Sequence, residues 1–134
     1  MKHNLPYVLL LSLLAPLAAC EHEAELPAPH LPPVATITFS SPAEGAVYRS
    51  GDTVTIEALA ASTQDIHGYT VSINKAADTT TYYFLDLHAH NDSLAIRHQW
   101  VDTLTVPTAL EARITIVLDH DGNTLTASRG FRHE

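Results

Sequence analysis

From Val34 to the C-terminus, apolar and polar residues alternate with a period of two rather than 3.6. Successive side chains of a β-strand point to opposite faces, so this alternation predicts strands with one buried face. The clearest predicted strands cover residues 36–40, 53–58, 69–74, 113–118 and 124–132. Turn signals separate them, including residues 41–45 and Asp121-Gly122, and only residues 108–111 leave room for a turn of helix. About seven strands at this spacing predict an all-β antiparallel sandwich.

The turns of this region resemble those of a known domain class. Ser41-Pro42, Gly45 and Gly51-Asp52 resemble the opening of bacterial Ig-like and fibronectin-III-like domains, and Asp121-Gly122-Asn123 resembles their final hairpin. The resemblance implies an Ig-like β-sandwich over residues 34–134. The chain has neither the inter-sheet cysteine pair nor the corner tyrosine of antibody domains, so it implies no antibody-type homology.

The N-terminal segment has the layout of a secretory signal. Lys2 precedes an apolar run over residues 7–19, which is shorter than the roughly 20 apolar residues of a spanning helix. The run ends in Leu17-Ala18-Ala19-Cys20, which resembles the lipobox of bacterial lipoproteins position by position. The resemblance implies that residues 1–19 are removed and that the Cys20 thiol carries a diacylglyceryl group. An ordinary signal peptide with an unmodified Cys20 stays open as the alternative.

Residues 20–33 form a predicted linker, acidic at first and then rich in proline. Such a stretch favours an extended spacer that could hold a domain ~40 Å from a bilayer, at ~3.1 Å per residue. Its acidic start resembles the surface-export tag of Bacteroidetes-type lipoproteins, so we expect the outer membrane, on its periplasmic or cell-surface face. The net charge is −8 and the 7 lysines and arginines are scattered, which argues against nucleic acid and against electrostatic docking to anionic lipid.

The segment from Thr79 to Trp100 is predicted to form a hairpin, for which two registers are possible. If Asn91-Asp92 is a two-residue turn, Asp86 opposes Arg97 and the apolar residues share one face. A register one residue longer would instead gather His88, His90 and His98 on one face. Burial normally decides between two registers, so we expect the first.

The paired histidines of this hairpin are candidate metal ligands. His88 and His90 lie two residues apart on an extended strand, in phase with Asp86, and such a set suits zinc or copper. A tight site needs three or four ligands, and the favoured register turns His98 to the opposite face. His67 and His120 lie at strand ends and would join only if the chain folded over. Metal binding by His88, His90 and Asp86 is therefore the alternative, and no cofactor is the leading expectation.

No catalytic residues stand out in the chain. No serine lies in a nucleophile elbow, and the single cysteine, Cys20, would be consumed by lipid. The leading hypothesis is a monomeric, non-enzymatic lipoprotein, anchored in the membrane by its lipid, whose Ig-like domain binds a protein or a glycan or acts as a spacer. The second hypothesis is a metal-binding lipoprotein that uses the hairpin histidines.

Overall fold

The computed structural model describes residues 31–134; residues 1–30, with the predicted signal, Cys20 and most of the linker, lie outside the described residues. The described residues form six strands: β1 (Ala35–Ser41), β2 (Ala46–Tyr48), β3 (Thr53–Lys75), β4 (Thr81–Val101), β5 (Thr108–Val117) and β6 (Thr124–His133). Within residues 31–134, no helix has the length and apolar character needed to cross a membrane.

Two long strands, β3 and β4, contribute to both layers of the fold. The first half of β3 pairs with β1, the second half pairs with β5, and β4 runs antiparallel to β3 along both halves. Strand β6 pairs with β5, and the short β2 pairs in parallel with β6. The two halves of β3 and the two halves of β4 count as four strands. Together with β1, β5 and β6 they make the seven strands that the sequence predicts, and the short β2 is additional. The predicted all-β antiparallel sandwich is confirmed, apart from the parallel pairing of the short β2.

The core consists of the alternate residues that the period of two predicts. Val54 and Ile56 from the first half of β3 and Val71 and Ile73 from its second half are fully buried. Residues 110, 112, 114 and 116 of β5 are buried with them, and Phe131 of β6 is 4% exposed. The hydrophobic contacts of these two layers stabilise the fold, because apolar area is removed from water on both inner faces.

No turn of helix forms at residues 108–111, the one segment in which the sequence leaves room for it. These residues begin β5, where Thr108 and Leu110 are buried and Ala109 is exposed. They pair with the last residues of β6, Thr108 opposite His133 and Leu110 opposite Phe131. The partner strand therefore decides the conformation of a segment whose composition suits either structure.

The prediction of a hairpin turn at Asn91-Asp92 is wrong, and neither register is observed. Strand β4 continues through both residues, and Asn91 opposes Ile66, where the pairing with β3 shifts between the two layers. The chain reverses instead at residues 76–80. There Lys75 and Asp78 form an ion pair at 2.8 Å, and the Asp78 carboxylate accepts a hydrogen bond from the Thr80 backbone N–H at 2.9 Å.

The cross-strand partners differ accordingly from those expected. Arg97 lies opposite Glu57 of β3, and the two side chains form an ion pair at 2.7 Å. Asp86 lies opposite Thr70 and not opposite Arg97. Pairing with β3 satisfies the backbone groups on one side of β4 over nearly its whole length, whereas a hairpin folded at Asn91 would engage only residues within β4 itself.

A buried polar contact lies at one end of the sandwich. His133 Nδ1 at the end of β6 lies 2.7 Å from the Asp102 carboxylate, and the two side chains are 4% and 0% exposed. The other Asp102 oxygen accepts the Leu104 backbone N–H at 2.9 Å. The backbone of Asp102 is hydrogen-bonded to that of Gly51 and Asp52. Asp102 thus ties the turn before β3, the end of β4 and the end of β6 together.

We expect Asp102→Ala to lower the free energy of unfolding by about 1–3 kcal/mol, because it leaves the buried His133 imidazole without its hydrogen-bond partner. Urea denaturation of the variant and the wild type measures this loss. Asp92→Ala, which removes an exposed carboxylate of β4, is the matched control and should stay within about 0.5 kcal/mol of the wild type. An Asp102→Ala midpoint equal to that of the wild type would show that the pair does not hold this end.

A second polar contact joins the two layers inside the sandwich. His98 Nε2 and the Tyr69 hydroxyl lie 3.2 Å apart, and burial lowers the pKa of His98 below its ordinary value of 6.5. We expect an NMR titration of His98 to show a midpoint below that value.

The lowered pKa of His98 gives stability a pH dependence. As the pH falls through about 6.5, His98 binds a proton in the unfolded chain, whereas in the folded chain it binds a proton only at lower pH. Stability should therefore fall with pH from about 6.5 down to the folded-state pKa, and His98→Gln should flatten this part of the curve. A His98 midpoint at or above 6.5 would contradict the effect of burial.

Candidate functional site

A hollow of 480 Å³ lies where β3, β4 and the β5–β6 turn meet. Its lining is dominated by imidazoles and carboxylates, with four histidines and two aspartates among the nine residues that form it. These residues are His67, Gly68, Asp86, Leu87, His88, His90, Val117, Asp119 and His120. Segments far apart in the chain therefore bring their potential metal ligands to one place.

Strand β4 supplies one wall of the hollow through its alternation. Asp86, His88 and His90 are all exposed and occupy every second position, so they share one face of the strand. His88 lies opposite Gly68 of β3, which in turn lies opposite Val117 of β5. A Cβ at Gly68 would lie only 2.9 Å from the Leu87 carbonyl oxygen, so the close approach of β4 at this point requires glycine.

His67 occupies the centre of the imidazole group. It lies where the pairing of β3 with β4 shifts, between Ile66 and Gly68. Its ring contacts His90 with centroids 5.7 Å apart at 87°, and His120 with centroids 4.3 Å apart at 48°. The Nδ1 atom of His67 is buried and has no hydrogen-bond partner among the described residues. A buried polar atom left without a partner is costly and is uncommon in folded proteins.

The β5–β6 turn holds His120 against His67. The Asp119 carboxylate accepts backbone hydrogen bonds from Asp121 at 2.9 Å and from Asn123 at 3.0 Å. Gly122 adopts a φ of 89°, a left-handed conformation that glycine adopts readily. The predicted Asp-Gly hairpin is therefore present, and its tight geometry fixes the position of the His120 backbone beside β3.

The structure brings the predicted residues Asp86, His88 and His90 into one hollow and adds His67 and His120 to them. The fold-over that the sequence left open is thus the observed arrangement. His98 lies elsewhere and contacts Tyr69. Cys20 lies outside the described residues.

Within residues 31–134, no three side chains of His, Cys, Asp or Glu are arranged as a ready-made metal-binding group. The rings contact one another instead of surrounding a common point.

The signal that marks the two added histidines in the sequence is their position. His67 precedes a glycine within a strand, and His120 occupies the Asp-rich turn between β5 and β6. Both places favour irregular backbone at the end of a sheet, where side chains from neighbouring strands converge. The sequence does not show that these two ends coincide, because that depends on the pairing of β3 with β5.

Comparisons with known proteins concern the fold. No protein-family model matches the chain, and no curated protein matches it. Among solved structures, the chain is similar to fibronectin(III)-like modules of CbhA from Clostridium thermocellum, at 17% identity and a TM-score of 0.47. That match covers 73% of this chain and 94% of the module chain.

The chain is also similar to a second solved structure, the CARDB domain of the PF1109 protein from Pyrococcus furiosus, in complex with di-metal ions. It is 14% identical, with a TM-score of 0.43, and the match covers 76% of this chain and 89% of that domain. Identities this low carry no inference about ligand or partner, and the assignment of the sandwich stands on the strand pairing described above.

Proposed function

We propose that this chain is a non-enzymatic lipoprotein of the outer membrane, on its periplasmic or cell-surface face, whose β-sandwich serves as an interaction or spacer module. The observation that carries the proposal is the order of three features. Leu17-Ala18-Ala19-Cys20 ends an apolar run, the acidic and proline-rich residues 21–33 follow, and the first strand of the sandwich begins at Ala35. Anchor, tether and compact domain are the parts of a protein that is displayed from a membrane.

The lipid supplies the membrane affinity in this proposal. One acyl chain binds a bilayer only marginally, whereas two or more chains hold a protein durably. A lipoprotein cysteine carries at least two. With a net charge of −8, the chain gains no attraction to anionic headgroups. Membrane attachment should therefore depend on Cys20 alone.

Strand β4 supports an interaction role for the sandwich. It pairs with β3 on one side, and within residues 31–134 no strand pairs with its other side. An unpaired edge exposes N–H and C=O groups that an extended segment of another protein can pair with. Along this edge, 21 residues long, Phe84 is 59% exposed and Val101 is 52% exposed. These apolar side chains would add contact area to such pairing.

We expect Cys20→Ser to leave the protein without lipid and to move it out of the membrane fraction. The reason is that the diacylglyceryl group is attached to a thiol, and the serine side chain offers only a hydroxyl. Cell fractionation followed by intact-mass spectrometry measures both effects. Ser12→Ala, in the apolar run, is the control and should be lipidated normally. An unmodified Cys20 in the mature wild-type protein would rule out the anchor.

A second measurement distinguishes the interaction role from the spacer role. We expect a photo-crosslinking side chain at position 84 to give one discrete adduct in living cells, because Phe84 lies on the unpaired strand. The same group at Thr124, an exposed residue of β6, should give no adduct of that mass. Absence of an adduct at both positions would leave the spacer role and contradict recognition through β4.

A further inference from the structure

We propose that His67, His90 and His120 form a binding site for a divalent transition-metal ion, zinc or copper in chemical class, at the end of the sandwich. Asp86 and His88 line the same hollow and are its outer polar residues. This site is independent of the proposed anchoring of the chain. It also differs from the set that the sequence of β4 suggests, because two of its three ligands come from outside β4.

The geometry that supports the site is the convergence of three imidazoles from separate parts of the chain. His67 belongs to β3, His90 to β4 and His120 to the β5–β6 turn. The ring of His67 contacts both others, at centroid separations of 5.7 Å and 4.3 Å. Backbone pairing of the neighbouring residues, Ile66 with Asn91 and Gly68 with His88 and Val117, sets the backbone positions of His67 and His90 before any ion arrives, and the β5–β6 turn sets that of His120. Gathering ligands in advance reduces the ordering cost of binding.

Binding requires the rings to turn from mutual contact so that one nitrogen of each faces the ion. His90 and His120 are exposed, so their side chains have room to rotate. His67 already carries a buried Nδ1 without a hydrogen-bond partner among the described residues. Coordination would give a partner to a ring nitrogen that the protein leaves unsatisfied.

The donor set selects the class of metal. Neutral imidazoles suit zinc and copper, whereas magnesium and calcium prefer oxygen ligands. Three histidines leave a fourth position, which the exposed Asp86 carboxylate or a water molecule can take. Asp119 is engaged by the backbone of the turn and acts as a positioning residue for His120.

The test is titration of the purified, metal-stripped full chain with zinc by isothermal titration calorimetry. We expect saturable binding of one ion per chain, and at least about tenfold weaker binding in each of His67→Ala, His90→Ala and His120→Ala, since even the loss of a supporting residue costs a metal site that much. His120→Ala is the decisive variant, because it changes an exposed turn residue. His98→Gln, outside the hollow, is the matched control and should bind as the wild type does.

A second measurement counts the ligands. Electron paramagnetic resonance of the copper-loaded chain should show hyperfine coupling to three imidazole nitrogens, and to two in His120→Ala. Circular dichroism and urea midpoints, read without metal, show that each variant is folded.

Three results would overturn the proposal. The first is the absence of saturable binding by the wild type. The second is undiminished binding by His120→Ala together with loss in His88→Ala, which would assign the ion to Asp86, His88 and His90 alone. The third is loss of binding in a His22→Ala, His30→Ala double variant, which would place the ion on the N-terminal segment. Neither the Cys20→Ser result nor the crosslinking result bears on these outcomes, so the site and the proposed function fail separately.

Discussion

The antiparallel pairing of β3 with β4 is the interaction on which the rest of this structure depends. The two strands run side by side from Thr53 opposite Val101 to Asn74 opposite Thr81. Because β3 pairs with β1 in its first half and with β5 in its second, this one ladder carries the chain through both layers. The layers can then close on a shared core, in which Ile56 and Ile73 of the same strand are both fully buried.

The passage between layers also creates the hollow. Pairing shifts on either side of Ile66, so β3 departs from regular geometry where His67 and Gly68 lie. Such irregularities re-aim side chains. Here the irregularity sets His67 beside His90 of β4, and the tight turn after β5 adds His120. The same constraint that lets two strands serve two layers thus gathers residues from three places in the chain.

Side-chain contacts fix the two layers relative to each other. The Tyr69–His98 contact links the second half of β3 to the second half of β4. The buried Asp102–His133 pair links the end of β4 to the end of β6. The single cysteine of the chain excludes an internal disulfide, so no disulfide cross-link stabilises the domain. Its stability rests on packing and on these polar contacts.

The sequence by itself determined the inward faces of β1, β3, β5 and β6, because a period of two needs only local residues. Val54, Val71 and Ile114 all point inward as their alternation predicts. Asp121-Gly122 marked the final hairpin for the same local reason. Only the tertiary structure decided which strand pairs with which, since Asn91-Asp92 suits a turn as well as a passage between layers. The neighbours of His88 and His90 followed from that pairing, as His67 and His120 approach them only through contacts between distant segments.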